Sequence, residues 1–294
     1  MAKHFLKIIL VGAIIWCFQA CKKEKKETIL AGEATIYTDE TLTPIIEDQI
    51  LVFESQYDSK ISLISKSEAE VVNSLLDGSA EIAILSRQLS KDETDSFNRK
   101  SIYPKVTKFA TDAIVLISNK NSNDTIVALE DVLNFLRGKE IAGIKGLVFD
   151  NPNSSTMRQL NDLAGVKTSK VKEIYSFGNN AEAIKYIAEN QGVIGVIGIN
   201  WILQPEPVMR PYMDKISVMA VKGSGDKYIF PSQNNLAEGT YPLARHLFVV
   251  NCQGFSGLGM GFASFVAGER GQRIILKSGL LPTNMPGRKI LIKE

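Results

Sequence analysis

Asp112-Ala-Ile-Val-Leu-Ile-Ser-Asn119 has an unbroken apolar, largely β-branched interior. A run of that length without polar alternation predicts a strand buried on both faces, as at the centre of an α/β sheet. Shorter runs of similar character stand on either side of it: Ala34–Thr38, Ile61–Ile64, Glu81–Leu85, Gly146–Phe149, Val193–Ile199, Ile216–Val221 and Leu247–Val250. Helical patterns separate them. Thr41 and Pro44 open an apolar-periodic stretch over Ile45–Gln56, and Glu68–Leu76 ends at Asp77-Gly78. Leu129–Arg137 stops at Gly138, and Ser154-Ser-Thr156 caps a helix reaching Leu163. Asn180–Asn190 and Phe262–Leu276 complete the set. The glycines of Val193–Ile199 permit close backbone approach. This alternation predicts an α/β architecture with mostly parallel sheets.

The whole chain has 294 residues with 34 Lys+Arg, 32 Asp+Glu, two His and three Cys, and it is 45% hydrophobic and 22% charged. Its length suggests two domains, and its composition is that of an ordinary globular protein. A net charge of +2 gives no field for nucleic acid, and so few Cys and His exclude zinc-finger arrays and disulfide scaffolds.

Residues 1–20 read as an export signal. Lys3 and Lys7 precede the apolar run Ile8–Phe18, which is the size of a signal-peptide core and too short to span a bilayer. Phe18-Gln19-Ala20-Cys21 resembles a bacterial lipobox, which makes Cys21 the expected lipidation site; the alternative is a plain secretory signal with a chance cysteine. Residues 21–32 would form a charged tether, with Lys22–Glu27 solvated between lipid and domain. The expectation is a soluble extracytoplasmic domain lipid-anchored to a bacterial cell membrane, on its periplasmic or cell-surface side.

Chemistry-bearing motifs are sparse. The segment Gly254-Phe-Ser256-Gly-Leu258 lacks the last glycine of a nucleophile elbow, and neither a GxGxxG nor a P-loop occurs. Nor is there a CxxC or HExxH, so no metal and no cofactor is expected. Glu68 and Glu70 read as first-turn acids that favour the helix dipole. What remains is a set of hydroxyl-bearing loops at helix starts: Thr38–Thr41, Ser65–Ser67, Ser86-Arg87 and Asn153-Ser-Ser-Thr156. A helix N-terminus offers unpaired N–H groups and partial positive charge, so such loops at strand carboxyl ends suggest an anion site.

The order of these pieces, from Glu33 to Pro282, resembles the substrate-binding proteins of bacterial phosphate ABC importers, the PstS-like, type II periplasmic-binding family. The resemblance rests on Thr41-Leu-Thr-Pro44, Ala83-Ile-Leu-Ser-Arg-Gln-Leu89, Phe109–Asn119, Asn153-Ser-Ser-Thr156, Gly192–Ile197, Tyr241-Pro-Leu-Ala-Arg245 and Gly271–Pro282. It implies a non-enzymatic, monomeric protein of two α/β lobes joined by a hinge of two crossing strands. Lobe I would comprise residues 33–113 and 246–294, and lobe II residues 114–245, with the crossings near Asp112–Val115 and Arg245–Val249. Phosphate or a similar oxyanion would bind between the lobes and be delivered to ABC permease subunits. Carried over by position, the ligand donors are Thr41, Ser67, Ser86, Ser154, Ser155 and Thr156. Arg87 and Arg158 are further candidates, explained equally well by solvated or interlobe salt bridges. Two positions depart from the family pattern: Asp150 replaces an arginine four residues before Ser154, and Pro152 replaces an acidic residue. With Asp39 and Glu40, these departures motivate an alternative, a lipoprotein whose altered cleft senses a different ligand or binds a partner.

Overall fold

The computed structural model describes residues 27–167 and 171–287. The export signal, Cys21, most of the tether and the C-terminal end of lobe I therefore lie outside the described residues.

The predicted central strand is real and longer than its apolar core, spanning Lys105–Asn119. Its first half pairs antiparallel with Ala244–Asn251, and its second half, Ile114–Ser118, pairs antiparallel with Val193–Gly198. One strand thus belongs to two sheet regions in succession, and every residue from Phe109 to Asn119 is buried. That burial explains why the sequence there shows no polar alternation.

On one side of this strand lies the parallel set Ser59–Lys66, Gly32–Asp39 and Ile82–Leu85, joined through Ala244–Asn251. On the other lie Val193–Gly198, Gly146–Phe149 and Ile174–Ser176, also parallel to one another. The sheet is therefore mixed rather than mostly parallel. Each lobe's interior is parallel, and the crossing strands run against it. The second crossing begins where Ile114 N–H donates to the Leu243 carbonyl, just before Ala244–Asn251. This is a two-lobed arrangement hung on two strands.

Two expected elements are divided, and one helix is new. Phe262–Leu276 is two helices, Leu258–Ala267 and Glu269–Lys277, because the chain at Gly268 is extended (φ −83°, ψ 172°). They pack so closely that a Cβ at Gly271 would stand 2.5 Å from the Phe265 carbonyl oxygen. Ile216–Val221 switches partner at Met219: Ile216–Val218 pairs with the central strand, and Ala220–Lys222 joins a separate three-stranded sheet. An additional helix, Lys91–Arg99, follows a reciprocal Ser90/Glu93 capping box.

The topology dictates where a ligand would meet the protein. Asp39–Thr41, Ser67, Ser86, Asp150–Ser154 and Asn200 all follow the carboxyl ends of parallel strands, three in one lobe and two in the other. The glycines of Val193–Gly198 make the approach possible. A Cβ at Gly195 would strike Ile187 Cδ1 at 2.1 Å, and one at Gly198 would stand 3.0 Å from the Thr41 carbonyl oxygen of the facing lobe.

Candidate functional site

The Asp39–Thr41 loop closes on itself. The Asp39 carboxylate accepts from the Thr41 N–H (3.2 Å) and from Thr41 Oγ1 (2.9 Å). Thr41 Oγ1 also lies 3.2 Å from Ser155 Oγ, a hydroxyl-to-hydroxyl contact from one lobe to the other. Both residues are fully buried.

Arg245 organises this inner group. It enters from the second crossing strand, and its guanidinium donates to Ser155 Oγ (2.8 Å), to Thr41 Oγ1 (3.4 Å) and, bidentately, to Asp112 (3.0 and 2.7 Å). Neither charged side chain of that pair is exposed at all. Asn200 Nδ2 adds a 3.4 Å contact to Asp112, and Trp201 Nε1 donates to the Glu40 carbonyl at 3.2 Å. Sequence reasoning placed Arg245 in a shared segment but gave it no site role. A buried arginine is visible only when its partners, distant in sequence, are brought around it.

Ser154 and Thr156 face a different carboxylate. Thr156 Oγ1 donates to Asp150 Oδ1 (2.8 Å) and lies 2.8 Å from Ser154 Oγ, which in turn accepts from the Met157 N–H as the helix N-cap. Asp150 is completely buried, and its Oδ2 has no partner. Where the family resemblance predicts an arginine, this chain has an acid that takes up the Thr156 hydroxyl.

Ser86, Arg87 and Arg158 converge on Glu68, at the start of the Glu68–Asp77 helix. Glu68 accepts from Ser86 Oγ (2.9 Å), Arg87 Nε (3.0 Å), Arg158 Nε and Arg158 Nη2 (3.4 Å). The expectation that Glu68 merely favours the helix dipole is corrected: the residue is 2% exposed and ion-paired across the lobes. Its neighbour Glu70 does play the helix-start role, closing a capping box with Ser67. Ser67 is accordingly engaged by its own helix, although it is buried beside the others. A cavity of about 530 Å³ opens here, lined by Glu68, Arg87, Asn153, Ser154 and Arg158 among others. A larger one, about 880 Å³ and walled by Phe135, Ile141, Ile144 and Val171, contains none of the hydroxyl residues.

The electrostatics follow from burial. Desolvation, with Glu68 nearby, pushes the Asp39 carboxyl up to about 7 against the pull of Arg245. Glu40 is likewise raised to about 7, by desolvation and then by Asp150, and burial raises Asp150 itself. For Glu68, burial is outweighed by Arg158 and Arg87, so its carboxyl stays below the usual range. The cleft therefore holds two acids raised to about 7, a third raised by burial, and one held below the usual range. Among the described residues there is no group of three or more His, Cys, Asp or Glu that could hold a metal.

The family model of the PBP superfamily domain matches residues 24–270. The chain belongs to the PBP superfamily. Within it, the chain is 23% identical over 280 residues to the phosphate-binding protein PstS of Borreliella burgdorferi, covering 89% of this chain and 92% of the relative. The corresponding PstS of Pseudomonas aeruginosa is 22% identical over 245 residues, covering 75% and 73%. Among solved PBP structures, a phosphate ABC transporter substrate-binding protein of Clostridium perfringens with bound phosphate superposes with a TM-score of 0.70. It has 20% identity and covers 86% of this chain and 100% of that one. These superfamily relatives are named as binding proteins rather than enzymes, in keeping with the two-lobed, non-enzymatic expectation from sequence.

Proposed function

We propose that this PBP-superfamily chain captures phosphate, or a similar small oxyanion, between its lobes and delivers it to an ABC importer from the outer side of the membrane. One observation carries this: Thr41 from one lobe, Ser155 from the other and Arg245 from the hinge meet within 3.4 Å, so neutral donors and one cation converge at strand carboxyl ends. A ligand contacting both lobes binds the closed form better than the open one, which is the requirement for ligand-driven closure. The names of the relatives support phosphate over other oxyanions. The raised carboxyls of Asp39, Glu40 and Asp150 soften the repulsion that their formal charges would impose on an anion.

In the proposed division, lobe I comprises 33–113 and 246–294, and lobe II comprises 114–245. Thr41, Ser67, Ser86, Ser154, Ser155 and Thr156, with Arg87 and Arg158, remain the proposed ligand donors. Calorimetry with phosphate is expected to give submicromolar to micromolar affinity, with sulfate much weaker. Absence of heat with any oxyanion overturns the assignment. Anchoring through Cys21 is tested by mass spectrometry of the membrane fraction, where an unmodified Cys21 would exclude a lipid anchor.

A second role, as a sensor or interaction protein for another ligand, is favoured by the buried acids of the cleft, Asp150 at the position where the family resemblance expects an arginine and Asp39 in the first loop, with Glu40 beside it. Partner capture with no ligand-induced thermal shift would select it.

A further inference from the structure

Glu68 receives contacts of the kind that a bound oxyanion would. Its Oε1 accepts from Arg87 Nε and Arg158 Nε, and its Oε2 from Ser86 Oγ and Arg158 Nη2. Three residues expected to contact a ligand instead place donors on one internal carboxylate. The contact joins the lobes: Glu68 and Ser86 stand at the ends of strands in one parallel set, whereas Arg158 rides on the helix that follows Gly146–Phe149 in the other. Beside it the Ala69 N–H donates to the Asn153 carbonyl at 3.4 Å, again from lobe to lobe. A glutamate serving only its helix would face solvent, as Glu70 does two residues on.

We infer that Glu68 is an internal substitute for the anion, a latch that holds the lobes together without ligand and lowers anion affinity by competing for the same donors. The competition half rests on the proposed anion-binding function; the latch half does not. Arg87 and Arg158 each hold a second acid, Glu93 and Asp162, so the outer cleft already carries more acids than arginines. An incoming anion gains these guanidinium groups only by displacing the Glu68 carboxylate, and the lobes stay joined because the anion inherits its donors.

The test uses ligand-free small-angle scattering and phosphate calorimetry on the wild type, Glu68→Gln and Arg158→Gln. Glu68→Gln keeps the side chain's shape and removes its charge; Arg158→Gln breaks the bridge from the other lobe. Without ligand, the wild type should be compact and both variants expanded. Phosphate should recompact Glu68→Gln, and its affinity should rise about tenfold. Equal ligand-free dimensions for all three proteins overturn the latch, and unchanged or weaker phosphate binding by Glu68→Gln overturns the competition. If no protein binds phosphate, the functional assignment fails, while ligand-free scattering still decides the latch.

Discussion

Arg245→Met removes the cation from a site that no water reaches. In the native protein Asp112 accepts two guanidinium hydrogen bonds, at 3.0 and 2.7 Å, and both side chains are fully shielded. After the substitution, the Asp112 carboxylate keeps only the distant Asn200 amide, at 3.4 Å. Breaking a buried pair from one side typically costs about 3–5 kcal/mol, because an uncompensated charge stays in low dielectric. At about 2–4 °C per kcal/mol for a chain of this size, the midpoint should fall by roughly 6–20 °C. Replacing both partners by apolar residues, Asp112→Leu with Arg245→Met, removes the stranded charge and should recover at least half of the loss. Urea unfolding followed by circular dichroism supplies the two single variants and the double variant for a thermodynamic cycle. A single variant that loses less than about 1 kcal/mol, or a double variant that loses the sum of the singles, would refute the account of Arg245 as an isolated charge neutralised by Asp112.

Three further outcomes are expected. Asp39 and Glu40 hold protons in the folded protein up to about pH 7 that they release near pH 4 when unfolded. Their contribution to stability therefore declines as the pH rises from about 4 towards 7 and is flat above. Scanning calorimetry between pH 5.5 and 8 should give a higher midpoint at the acid end, Glu40→Gln should flatten the slope, and a midpoint rising with pH contradicts the assignment. Gly198→Ala places a methyl group 3.0 Å from the Thr41 carbonyl and 3.3 Å from its Cβ, so the lobes must part slightly. Overpacking of about 1–3 kcal/mol corresponds to roughly five- to 150-fold weaker phosphate binding, and unaltered affinity would mean that this approach does not govern closure. Ser154→Ala removes a helix cap and one neighbour of Thr156, so ligand-free stability should fall by about 1 kcal/mol, measured by urea unfolding, against no change if the hydroxyl only awaits a ligand.

Much of the layout was legible because it is local. The Ser154 cap, the Gly78 stop and the uninterrupted run Asp112–Asn119 are consequences of backbone geometry and burial that nearest neighbours express. The division at Gly268 and the partner switch at Met219 were not legible. An isolated glycine is compatible with a continuous helix, and only the packing of Gly271 against Phe265 demands two. The helix Lys91–Arg99 was signalled by the spacing of Ser90 and Glu93, a capping box that hydrophobic periodicity does not detect.

From its residues alone, the chain determined its α/β character and the hydroxyl loops at helix starts, because both depend on short-range periodicity and caps; the two strands that cross between lobes were implied only by the family resemblance. Which charges meet was decided only by the tertiary structure. Glu68 and Arg158 are 90 residues apart, and Arg245 reaches Asp112 across 133. Coulombic pairing depends on distance and solvent access in space, which sequence separation does not encode. The first turn that makes Glu70 the capping-box partner of Ser67 places Glu68, two residues earlier, between two lobes.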